Sequence, residues 1–66
     1  MSEVFSSNAL EILNKKIRII MNETADHVRA GGCRNMEEYS KACGVIEGLA
    51  LAERELLDLN KQIERN

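Results

Sequence analysis

Two glycines in mid-chain decide most of what this sequence can become. Gly31-Gly32 interrupts a chain that has no proline, and apolar residues recur every three or four positions on both sides of it. That spacing marks one face of an α-helix. Glycine just past a helix adopts the left-handed backbone that ends it without steric cost. Asn35, a cap-forming residue, follows after a short link of ordinary helix–helix length. Stop, link and restart predict two long helices, about 8–30 and 36–64, folded back as an antiparallel two-helix hairpin. The expected fold class is all-α, with residues 1–66 as a single domain.

Asn8 is read as the first N-cap, with Glu11 at the third helical position. Asn35 and Glu38 stand in the matching places of the second helix. Each pair is a variant of the capping box, in which side chains satisfy orphan N–H groups at a helix start. In the first helix Leu10, Leu13, Ile17, Ile20, Thr24 and Val28 line one face, widened by Met21. In the second, Ala42, Val45, Leu49, Ala52, Leu56, Leu59 and Ile63 alternate by three and four, as in a coiled-coil seam. Tyr39, Cys43, Ile46, Ala50 and Leu57 form a flanking row. Together the rows are wider than the ~100° stripe of a one-sided surface helix.

Several residues have no place in a lone hairpin. Ile12 and Ile19 oppose the main face of the first helix, and Leu51 lies outside both rows of the second. Gly44, Gly48 and Ala52, four apart, make a narrow ridge of small side chains. Glycine inside a helix costs roughly 0.5–1 kcal/mol relative to alanine, and close approach by another backbone would offset that. Ile12, Ile19, Gly44, Gly48, Leu51 and Ala52 are therefore the expected interface residues, through which hairpins would oligomerise by second apolar faces. So short a chain buries a modest fraction of its surface and gains from assembly. Glu53 and Asn60 fall inside the apolar arc, where a polar residue can fix register or oligomer number.

No catalytic or metal-binding constellation emerges. His27, the single histidine, is read as a polar residue suited to the negative end of the first helix. Cys33 in the link is expected to be exposed, and Cys43, on an apolar row, to be a small core residue. Two cysteines at this spacing make neither a disulfide framework nor a zinc knuckle. Reduced thiols in a cytoplasmic setting are expected. The link opens onto a helix start, whose N–H groups could hold an anion. Arg34, Lys15, Lys16 and Tyr39 are the candidate anion- or ligand-holding residues, at a site shared between chains. The glycine pattern of a P-loop is absent, and an ordinary inter-helix turn is the simpler reading. Lys15, Lys16 and Arg18 would face solvent or acids of the second helix. A net charge of −2 without a basic tail argues against nucleic-acid binding. No apolar run nears the ~20 residues of a membrane span, and the first residues lack the basic start of a secretory leader. No cofactor is implied.

Tyr39, Cys43, Gly44, Ile46, Gly48, Leu49 and Ala52 stand in a Tyr-x-x-x-Cys-Gly-x-Ile-x-Gly-Leu-x-x-Ala pattern. The surrounding segment resembles one that recurs in short proteins of tailed bacteriophages, and the likeness covers a third of the chain. It implies a non-enzymatic helical interaction protein, acting as a virion component or assembly factor. Its partners would be further copies of itself and another phage or host protein, in the bacterial host cytoplasm or in the virion. The alternative it leaves is a host-directed protein that inhibits a host enzyme or sequesters a defence-signalling nucleotide between chains. The pattern brings no active site with it.

Overall fold

The computed structural model describes residue 5 and residues 7–65. They form two helices and no strand: α1, Asn8–Arg29, and α2, Met36–Arg65, packed against each other as a hairpin. At about 1.5 Å per residue, the 22-residue α1 spans about 33 Å and the 30-residue α2 about 45 Å.

The start of α1 differs from the sequence reading. Ser7, in extended backbone, is the N-cap, and its carbonyl accepts the Glu11 N–H at 3.1 Å. Asn8 is already helical, so it does not cap, and Glu11 is one position too far along to close a capping box. Two cap-forming residues stand side by side, and the helix takes the earlier one. Glu11 turns instead toward Lys15, 3.8 Å away and one turn on.

The other helix ends follow the sequence. Gly31 has a φ of 76°. Its N–H donates to the Val28 carbonyl at 3.0 Å, and the Gly32 N–H to the His27 carbonyl at 2.9 Å. These two bonds are how a left-handed glycine closes a helix. At the start of α2 the Glu38 N–H donates to Asn35 Oδ1 at 2.9 Å, and Glu38 accepts the Arg34 N–H at 2.9 Å. The Arg34 guanidinium holds the same carboxylate at 3.0 Å. The Arg34 N–H first, and its guanidinium second, keep the Glu38 carboxyl below its ordinary 4.5. A depressed carboxylate stabilises the fold above its unfolded pKa, and that contribution is lost as pH falls through the folded value. Asn35→Ala is expected to cost about 0.5–2 kcal/mol, seen as a lower urea midpoint at fixed protein concentration.

Between the helices runs a seam with 4-3-4-3-4 spacing on each side. Leu10, Asn14, Ile17, Met21, Thr24 and Val28 meet Ala42, Ile46, Leu49, Glu53, Leu56 and Asn60, all buried or half-buried. Ile17, Met21 and Leu56 are its centre, with Phe5, Leu10, Ile46, Leu49 and Leu57 packed around them. The longer α2 gives its last turns residues 1–7 or another chain to pack on, by the sequence; Phe5 packs against the core, and residues 1–4 and 6 lie outside the described residues.

On both helices alternate positions of the row thus shift by one from the sequence reading, Leu13 and Ile20 giving way to Asn14 and Met21, and Val45, Ala52 and Leu59 to Ile46, Glu53 and Asn60. Leu13 and Ile20, assigned to the main face of α1, are exposed, and so are Val45, Ala52, Leu59 and Ile63, assigned to the seam of α2. The expected and observed rows share Leu10, Ile17, Thr24 and Val28 on α1, with Met21 expected beside them, and Ala42, Leu49 and Leu56 on α2, so either rotation would bury these. The observed one brings Arg18 Nε within 2.7 Å of Glu53 Oε2. It also places Asn14, Glu53 and Asn60 inside, with Glu53 8 % and Asn60 2 % exposed. Cys43, expected in the core, is rotated out to the surface, while Cys33 is half-buried in the link.

Candidate interaction surface

The hairpin offers two surfaces, a hollow at the link and an apolar face along the helices. The hollow holds about 320 Å³ and is lined by His27, Cys33, Glu38, Lys41, Ala42 and Val45. The His27 imidazole lies over Gly32, in the space where a side chain at that position would sit. Tyr39 hydrogen-bonds to Cys43 one turn along α2. That bond, ahead of the charge on the same thiol, holds the phenol above its ordinary pKa of 10, with a smaller contribution from Cys33. Among the described residues no three His, Cys, Asp or Glu side chains converge as a metal ion would require.

The four residues expected to hold an anion are not gathered by this chain. The carboxylate of Glu38 already engages both the backbone N–H and the guanidinium of Arg34. Lys15 pairs with Glu11. Lys15 and Lys16 also lie near the far end of α1, roughly 20 Å of helix from the link at about 1.5 Å per residue. Tyr39 faces the thiols. Of the basic trio, Arg18 finds the acid of α2 that the sequence offered it.

The expected interface residues are all at the surface. Ile12, Ile19, Gly44, Gly48, Leu51 and Ala52 are exposed, Ile19 by 55 % and Leu51 by 56 %. A Cβ added at Gly44 or Gly48 would meet nothing within 4 Å. Within one hairpin, therefore, no backbone approaches the glycine ridge.

No protein-family model matches this chain, and no curated protein or solved structure does.

The larger surface is one that the sequence reading missed. Leu13, Ile20 and His27 each precede a seam residue of α1, and Val45, Ala52 and Leu59 each precede one of α2. His27 and Val45 line the same hollow, so these preceding positions share one side of the hairpin. Leu13, Ile20, Val45, Ala52 and Leu59 then form a continuous uncharged stripe. The signal lay in Glu53 and Asn60: once these are seam residues, the side chains before them point away from it. Among the described residues four apolar side chains are buried, and ten large ones are exposed. Scattered surface leucines are normal, but clustered ones mark contact surfaces. No described helix is long and apolar enough to cross a membrane.

Proposed function

We propose that this chain is a non-enzymatic helical interaction protein, whose antiparallel hairpin assembles through the apolar faces it leaves open. One observation carries the reading. The seam encloses Asn14, Glu53 and Asn60, while Leu13, Ile20, Val45 and Leu59 stand in water one position away. Burying a polar group costs free energy unless it is paired, and burying an aliphatic side chain gains about 1.5–3 kcal/mol. A hairpin built to stand alone would take the opposite rotation. A hairpin built to be covered would keep its aliphatic side chains for the partner. Together with the resemblance to short tailed-phage proteins, this supports a role as virion component or morphogenesis factor. A nucleotide-sequestering role is less favoured, since Arg34 is already committed to Glu38.

Sedimentation equilibrium of the purified protein tests the assembly reading, and a concentration-dependent mass above 7.4 kDa is expected. A helical monomer at every concentration, with no partner retained from infected cells, would end it. Mass spectrometry of purified virions tests the biological role: a fixed copy number supports a virion component. Gly48→Ala reports on the ridge. In a lone hairpin the substitution would stabilise by roughly 0.5–1 kcal/mol through helix propensity. Against a docked helix, overpacking costs about 1–3 kcal/mol, so a lowered melting midpoint is expected.

A further inference from the structure

We infer that a second copy of this chain docks across the face formed by Leu13, Ile20, Val45, Ala52 and Leu59, closing a four-helix bundle of two hairpins packed face to face. The inference rests on the self-association proposed above and names the surface that carries it.

The two sides of the seam are chemically unlike. On one side Arg18 closes over Glu53 at 2.7 Å, and Glu11 and Glu64 lie along the same flank. On the other, the five residues carry no charge and none is buried, and the stripe meets polar side chains, His27 and Glu38, only at the link end.

The rim of the face is complementary to itself. Its next positions outward are Ala9, Lys16, Glu23 and Ala30 on the α1 side, and Lys41, Gly48, Glu55 and Gln62 on α2, all exposed, with the charges of its central part on Lys16, Glu23 and Glu55. The Arg18–Glu53 contact sets the level of one helix against the other. Lys16 is thus level with Glu55, and Glu23 with Gly48. When two such faces meet about a twofold axis, α1 lies against either α2 or α1 of the second copy. In the first case Lys16 meets the second copy's Glu55, and Glu23 meets Gly48. In the second, with the axis midway between these two levels, Lys16 meets Glu23, and Glu55 meets Gly48. Each case joins opposite charges and sets the remaining acid beside a residue with no side chain. No like charges are brought together, which is what a self-docking surface requires.

Sedimentation equilibrium with circular dichroism on single variants tests this. The wild type is expected at twice 7.4 kDa. Ile20→Glu, on the shared face, is expected to weaken association at least tenfold, and Ile19→Glu, on the neighbouring outer face, to leave it intact. Lys16→Glu, on the exposed rim and neutral for folding, is expected to weaken association several-fold. Either Glu55→Lys or Glu23→Lys in the same chain should restore it, and the one that does identifies the neighbouring helix. A monomeric wild type would overturn the assembly reading altogether. A wild-type oligomer that Ile20→Glu and Lys16→Glu leave intact, or that Ile19→Glu dissociates instead, would overturn this face alone.

Discussion

Leu56→Ala is expected to leave the hairpin largely unfolded at room temperature. Leu56 is the most deeply buried apolar side chain among the described residues, and it joins Ile17 and Met21 at the centre of the seam. Truncating a buried leucine costs about 2–5 kcal/mol, the range depending on how well the site collapses. A single core in a chain this short rarely supplies more than about 3–5 kcal/mol. The substitution therefore removes most of what holds α1 against α2. Two long helices offer little to fill the gap, because Ile17 and Met21 are the only other buried side chains of this cluster among the described residues. Loss of helical circular dichroism at 25 °C is the expected reading. A melting midpoint within a few degrees of wild type, at equal protein concentration, would show that the centre of stability lies elsewhere.

The second large effect concerns the pair of buried Glu53 and exposed Arg18, and its two halves should behave differently. Arg18→Ala leaves the Glu53 carboxylate in the seam without its 2.7 Å partner. An unsatisfied buried group costs about 1–3 kcal/mol, and the half-exposed Arg18 side means water can reach part of the site, which holds the loss within that range. Glu53→Leu removes the buried charge itself and leaves Arg18 to water. Replacing a buried ion pair with packed apolar side chains is often neutral or stabilising by about 1–4 kcal/mol. Chemical denaturation should therefore show Arg18→Ala lowering stability and Glu53→Leu holding or raising it. Equal losses from both would mean that the pair contributes net attraction beyond its desolvation cost.

The ends of the elements were legible because single residues decide them. Gly31 alone can take its left-handed backbone cheaply, and Asn35 with Glu38 can pair in only one way across the first turn of α2. Rotation about the helix axis was not legible. Ala42, Leu49 and Leu56 belong to two overlapping rows, and hydrophobic pattern favours the row with Val45, Ala52 and Leu59. The observed row is chosen by a long-range pair, Arg18 with Glu53, whose partners lie 35 residues apart. That apolar side chains stay exposed could be read from Ile12, Ile19 and Leu51. The neighbouring face of Leu13, Ile20, Val45 and Leu59 could not, since the hydrophobic pattern assigns these four to the interior. Cys43 was misplaced by the same rotation. At the start of α1 the ambiguity was of another kind, with Ser7 and Asn8 both able to cap.

The short link has a consequence for timing. Only residues 30–35 separate α1 from α2, and a loop of about ten residues closes in roughly 10–100 ns. Helical chains dominated by near-neighbour contacts fold within microseconds to milliseconds. Pairing of two folded hairpins is bimolecular, and at about 10⁶ M⁻¹s⁻¹ it takes on the order of a second at micromolar concentration. Each new hairpin would then wait some thousandfold longer for its partner than it took to fold. The wait shortens in proportion to the number of copies present, so the rate of synthesis, and not the rate of folding, would set when assembly begins.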